Sequence, residues 1–289
     1  MKFAVYWWGG RRELGLLSAD TSEVTPLAMG DRARDAGALP LIEAMAKGEA
    51  APKPAGPRLP VSAIKLDAPL PKPRRNLFCV GRNYRAHADE LARTIFRDSG
   101  SPDEAWPMIF SKVPESVIGT GAPIVLPKGI SDQIDYEAEL AVIIGKGGAN
   151  IPARRAMEHV WGYTIVNDVT ARDVQTRHKQ WHLGKSFDTF CPMGPWVVTA
   201  DEMDGAKTTV RCWVNGELRQ EASTSDLIFD IPTLIETCSR GITLYPGDVI
   251  ATGTPAGVGM GMTPPTFLKH GDVVCIAIDG IGQIENPVQ

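Results

Sequence analysis

The 289-residue sequence contains no run approaching the ~18 consecutive apolar residues that a membrane-spanning helix needs. It has no CxxC pair, and its five cysteines (Cys79, Cys191, Cys212, Cys238 and Cys275) are an odd number. That pattern fits a reducing cytoplasm, with the thiols as small buried apolar groups and not as nucleophiles. The N-terminal MKFAVYWWGGRRELG has too short an apolar stretch for a signal peptide and no small-residue cleavage site, so it reads as a strand. An excess of basic charge is also missing. A net charge of −4 and a pI near 5.8 argue against a nucleic acid or an acidic membrane as partner. GKSFD at 184–188 is not a phosphate loop, because Lys179 stands where that motif requires glycine. GTPAGVGMG, from Gly253, leads into TPPTF and not a helix, which rules out a dinucleotide fingerprint.

What is present describes an ordinary soluble chain, 43% hydrophobic and 22% charged, long enough for a full core. Its 29 glycines and 23 prolines favour strands and turns over long helices. Residues 1–19 read as strand, turn and strand, and Asp31 to Gly48 has helical periodicity through Leu39, Ile42 and Met45. Residues 51–60, APKPAGPRLP, resist regular structure. From Asn76 onward strands dominate: NLFCVG, MIFSK, SVIGTG, WGYTIVND, GPWVVTA, TTVRCWVNGEL, GDVIATG and GDVVCIAIDG. Asn215-Gly216 signals a tight hairpin. The segment after Tyr84 is helical, Thr94 to Trp106 is polar and broken, and residues 91–106 are expected to form a loop that orders over a ligand. The expected class is α+β, mainly β, with a small β-rich domain over 1–71 and a larger domain over 72–289.

The stretch Ile134 to Gly145, IDYEAELAVIIG, carries the chemistry. In an extended strand residues two apart share a face, so Glu137 and Glu139 project together with Asp135 just before them. Like charges at the mouth of a buried strand repel and lose hydration, and a bound cation removes both costs. Acids that simply face water are the alternative. WGYTIVND ends at Asp168, a strand end or helix start where an acid commonly caps, with VTARDVQTRHKQW helical after it. Arg172 and Gln175 then fall on the face of Asp168, while Asp173 and Arg177 form a solvated pair elsewhere. Carboxylates without nearby His or Cys suit a hard cation, Mg²⁺ or Mn²⁺, with Ca²⁺ as a further candidate. Lys185 is a point charge for a carboxylate or polarised carbonyl, and the turn after Gly253 offers backbone amides and the Thr254 hydroxyl to an anion. His87 and Glu90, three apart on a helix, suit an oriented general base, a plain surface pair being the alternative. His159, His178, His182 and His270 receive no role.

NYRAH…E, DYEAEL, VNDVTARD, LGKSF and GDVIATGTPAGVG together resemble the fumarylacetoacetate hydrolase (FAH) family over about residues 75–288. The resemblance implies a mixed β-roll, a homodimer and one divalent metal on Glu137, Glu139 and Asp168. It places Arg172, Gln175, Lys185 and Thr254 on the substrate side, and makes His87 with Glu90 similar to the dyad of shorter members. The implied enzyme is a metal-dependent hydrolase cleaving a C–C bond in an acylpyruvate or other 2,4-dioxo acid. Alternatives of the same enolate chemistry are a 2-oxo acid decarboxylase, an isomerase of the 2-hydroxyhepta-2,4-diene-1,7-dioate type, and a sugar-acid dehydratase or lyase. A non-catalytic metal-binding module is disfavoured by His87, Glu90 and Lys185, which a structural cation does not need. The N-terminal region looks like the small domain of bacterial relatives, and residues 91–106 look longer than the lid of short members.

Overall fold

The computed structural model describes residues 1–29, 31, 35–92, 106–177 and 179–289. Apart from residues 91, 92 and 106, the expected loop lies outside the described residues, as does His178. The fold is mainly β, with mixed sheets. Among the described residues the larger sheet has twelve strands and a second sheet has four. No helix among them is long and apolar enough to cross a membrane.

Strand Ala138–Ile144 is central, and all seven of its residues are buried. Its two faces feed different cores. Ala138, Leu140, Val142 and Ile144 pack with Tyr136 and the inner face of the four-stranded sheet, including Val210, Ile276 and Ile284. Ala141 and Ile143 pack the other way, with Leu41 and Ile42 of helix Leu39–Ala46. This is the period-two rule applied to a strand covered on both sides. Its neighbours are Val160–Asn167 and, on the other edge, Val249–Ala251. The N-terminal strand Lys2–Trp8 joins the same sheet, pairing Lys2 with Val198 and Phe3 with Val197. The proline-rich stretch 51–60 stays irregular until Leu59–Pro60 pairs with Glu23 and Val24. Asn215 and Gly216 both take positive φ, 53° and 80°, as the hairpin signal requires.

Two expectations need correction. The acidic stretch is not one strand: Ile134–Asp135 pairs with Thr170–Ala171, the ladder breaks at 136–137, and Ala138–Ile144 begins in the larger sheet. Side chains take the backbone groups at the break. Asp135 Oδ1 accepts from Tyr136 N–H, Asn167 Oδ1 from Glu137 N–H, and Gln220 Oε1 from Ala138 N–H. The second correction concerns the helix expected directly after Asp168; Asp168 itself lies at a strand end, just past Val160–Asn167. The helix starts at Arg172 and runs only to Arg177, because 170–171 are spent on the short strand pair. Asp173 accepts from the Ser131 hydroxyl at 2.5 Å and has no ion pair with Arg177.

Candidate active site

Glu137, Glu139 and Asp168 are brought together at the break, each with a carboxylate oxygen within 4.8 Å of the others'. All three are buried. Glu137 Oε2 accepts from Lys185 Nζ at 2.6 Å, and its Oε1 meets Arg172 Nη1 at 2.6 Å. Asp168 accepts from Lys112 Nζ at 2.7 Å and from Lys185 Nζ at 2.8 Å. Asp135 does not join this group. It turns to Arg172, whose Nε donates to Asp135 Oδ2 at 2.9 Å. Three buried cations (Lys112, Arg172, Lys185) thus face three carboxylates (Asp135, Glu137, Asp168). Glu139 is left over, its only hydrogen bond among the described residues a donation from Gly253 N–H at 2.8 Å.

This imbalance sets the electrostatics. Burial opposes ionisation of Glu137, but Lys185 and Arg172 outweigh it and hold the carboxyl at about 2. Glu139 is pushed well above the usual range by burial, with Asp168 and Glu137 adding to it. Burial also opposes the charge on Lys185, yet Asp168 and Glu137 keep it raised. One uncompensated buried acid beside two others, all oxygen donors with no sulfur or imidazole among them, fits a hard divalent cation. Mg²⁺ and Mn²⁺ suit that donor set, as does Ca²⁺.

Helix Arg85–Ala92 supplies the next group. His87 Nδ1 lies 3.1 Å from Glu90 Oε2, and Glu90 Oε1 accepts from Gly257 N–H at 3.0 Å. A carboxylate on Nδ1 places the proton there and leaves the Nε2 lone pair available. His87 is 3% exposed and shares one cavity with Glu137, Glu139, Arg172, Gln175, Lys185 and Thr254. Seven of the nine residues singled out in the sequence line it; Glu90 and Asp168 stand behind it as holders. Arg82 also borders the cavity, from a left-handed conformation with φ 55°.

The glycine-rich loop after Gly253 binds anions, as its composition suggests, but they are the protein's own. Its amides donate to Glu139 from Gly253, to Glu90 from Gly257, and to Asp135 from Gly259 and Met260. Glycine is needed where the loop passes close. A Cβ at Gly257 would meet the Arg219 carbonyl, and one at Gly261 the Glu90 carboxylate. One loop therefore sets a trio member, the imidazole's partner and the anchor of Arg172.

Sequence reasoning missed Lys112, Asp135's separate task and Gln220. Lys112 reaches Asp168 across 56 positions in the sequence, and it also donates to the carbonyls of Val169 and Lys185. The one signal for it is a lysine at the end of the apolar strand MIFSK. Four of the five thiols are buried as expected, Cys79, Cys191, Cys212 and Cys238, whereas Cys275 is half-buried; burial lifts Cys191 to about 12. Asp135 yields a direct prediction. Asp135→Asn leaves Arg172 buried beside a neutral amide, and breaking such a pair costs about 3–5 kcal/mol. Urea unfolding measures it. A loss no larger than that of an exposed pair, about 1 kcal/mol at most, would mean that other contacts hold Arg172.

A mainly β fold around this buried acidic cavity is that of a family of enzymes acting on small molecules. The chain belongs to the fumarylacetoacetate hydrolase family: the model of the fumarylacetoacetate (FAA) hydrolase C-terminal region matches residues 76–289. It is 51% identical over 229 residues to oxaloacetate tautomerase YisK of Bacillus subtilis (strain 168), covering 79% of this chain and 74% of that protein. Among solved structures, a fumarylacetoacetate hydrolase from psychrophilic Exiguobacterium antarcticum is similar with a TM-score of 0.86 at 40% identity, over 100% of this chain and 99% of that one. A 5-carboxymethyl-2-hydroxymuconate delta-isomerase from Mycobacterium smegmatis gives 0.79 at 34%, over 100% and 99%.

Proposed function

We propose that this chain catalyses the keto–enol tautomerisation of oxaloacetate or a similarly short 2-oxo dicarboxylate. The observation that carries it is one cavity bordered by a carboxylate-held imidazole, Glu137 and Glu139 of the acid trio, and Arg172, whose Nη2 is buried with no hydrogen-bond partner among the described residues. A base, a cation site and a spare guanidinium donor are what interconverting an enol and a ketone between two carboxylates requires. The tautomerase activity of the 51%-identical relative supports the same reading.

A divalent cation on Glu137, Glu139 and Asp168 would supply Lewis-acid charge to the 2-oxo group and its carboxylate. The rest falls to the chain's own groups. From enol to ketone, the C2 hydroxyl loses its proton and C3 gains one. His87 Nε2 takes that hydroxyl proton and delivers it to C3, with Glu90 steadying the imidazolium formed in between. Lys185 faces the oxygen at C2, where negative charge develops, and Arg172 Nη2 with Gln175 takes a carboxylate. Phe110 and Trp181 keep bulk water from the carbon centre. A cytoplasmic homodimer, with a small acid as partner and neither nucleic acid nor membrane, completes this reading. Hydrolytic C–C cleavage of an acylpyruvate is the second reading, favoured by the same His87–Glu90 pair, which suits activation of water.

Stopped-flow absorbance on freshly dissolved enol-oxaloacetate separates the two. With Mg²⁺ and protein, ketonisation should run well above the spontaneous rate, without loss of total oxaloacetate. Unchanged ketonisation together with rapid pyruvate release from an acylpyruvate would overturn the tautomerase reading in favour of the hydrolase.

A further inference from the structure

Strand Glu217–Ser223 belongs to the four-stranded sheet and lies outside the cavity, yet it sends one side chain toward the site. Its residues are exposed or half-buried except Gln220, which is 1% exposed. A core-facing position on such a strand ordinarily carries an apolar side chain, and a buried amide needs its donors and acceptor met. Gln220 meets them on two elements at once. Its Oε1 accepts from Ala138 N–H at 3.0 Å, while Nε2 donates to Pro255 O at 2.7 Å and to Thr254 Oγ1 at 2.8 Å.

Two of these contacts fix the amide's orientation. Flipped, it would set donor against donor at Ala138 and acceptor against acceptor at Pro255. The group facing Thr254 is therefore an N–H. Thr254 Oγ1 accepts from it, so the hydroxyl's own proton must point elsewhere. Thr254 borders the cavity beside Glu137, Arg172 and Lys185, and among the described residues its hydroxyl donates to no protein acceptor.

We propose that Gln220 is a positioning residue that makes Thr254 an obligate hydrogen-bond donor into the cavity, so that the site selects a negatively charged ligand oxygen. This deepens the functional reading above and rests on it for the ligand's class, a 2-oxo acid anion. A carboxylate or enolate oxygen is rewarded at that point, and a ligand offering an O–H or N–H there is met donor to donor. Ala138 lies between Glu137 and Glu139, so the one amide also sets the height of the donor over the acid trio.

The test is calorimetric titration of oxalate into the Mg²⁺-loaded protein, with unfolding temperature and Mn²⁺ affinity recorded in parallel. Gln220→Glu keeps the shape but inverts the contact. A carboxyl group has at most one proton at that atom, and Pro255 O takes it, so Thr254 faces an acceptor and turns its hydroxyl away from the ligand. Oxalate affinity should fall by roughly 10–100-fold, the worth of a hydrogen bond to a charged group. Thr254→Val should lose as much, and the double variant no more than Thr254→Val alone, with Mn²⁺ affinity unchanged throughout. Gln220→Met, which frees the hydroxyl to rotate, should lose less and show the same non-additivity; it carries the cycle if Gln220→Glu does not fold. Losses that add, or full oxalate affinity in the Gln220 variants, would overturn the proposal. Absence of oxalate binding by the unsubstituted protein would instead overturn the functional reading, and this inference with it.

Discussion

Glu139→Gln is expected to abolish binding of the divalent cation at micromolar concentrations and to lower turnover by roughly 10³-fold or more, since a metal's charge is worth several kcal/mol to an enolate-forming step. The residue is chosen because the protein gives it no counter-charge. Lys112, Arg172 and Lys185 are committed to Asp135, Glu137 and Asp168, while among the described residues Glu139 has only the Gly253 amide. Glutamine keeps the size and can still accept from that amide, but it brings no charge to a cation. The same substitution should leave the metal-free protein as stable as before, or more so, because a buried carboxyl without an ionic partner is a cost and not a support. A thermal unfolding scan next to Mn²⁺ titration reads both effects. Loss of stability together with retained binding would reverse the assignment. The contrast with Asp135→Asn is sharp, since there the fold suffers first.

His87→Ala carries the second large effect. Removing a general base lowers turnover by roughly 10²–10⁴-fold, and enol-oxaloacetate ketonisation should fall by that amount. Oxalate affinity should stay within a few-fold of the parent, because trio, Lys185 and Arg172 are untouched. Helix Arg85–Ala92 is held at this end by the Glu90–Gly257 bond and by packing of Leu91 against Val258 and Met260, so alanine does not release it. Calorimetry with oxalate beside stopped-flow kinetics separates binding from proton transfer. Full ketonisation by His87→Ala would remove the base from the account and leave the cation site with Lys185 as its remainder. Loss of oxalate binding in this variant would show that the imidazole grips the ligand instead of moving a proton.

Much of the site could be read from the chain because its residues sit in short local patterns. Alternation in DYEAEL places Tyr136, Ala138 and Leu140 in one core and leaves Glu137 and Glu139 to the other side. The i, i+3 spacing of His87 and Glu90 gives their contact directly. The helical spacing invoked for Asp168 named two residues that border the cavity, but by a wrong route. Arg172 and Gln175 do share a helix, but Asp168 reaches the group from the end of strand Val160–Asn167. What stayed hidden is tertiary. The break at 136–137 depends on Asn167 and Gln220, which lie 30 and 82 positions from the amides they satisfy. Lys185 reads as a substrate-facing charge from composition, yet it is bonded to Glu137 and Asp168, an arrangement that requires knowing which carboxylates fold against it. The loop amides likewise cannot be assigned to Glu139, Glu90 and Asp135 until three distant segments are set side by side.

Titration of Mn²⁺ into chelator-treated protein, followed by calorimetry, tests the central claim most directly. The account predicts one site per chain in the parent, and none at the same concentrations when Glu137, Glu139 or Asp168 is replaced by its amide. No binding by the parent, or undiminished binding in all three variants, would contradict it.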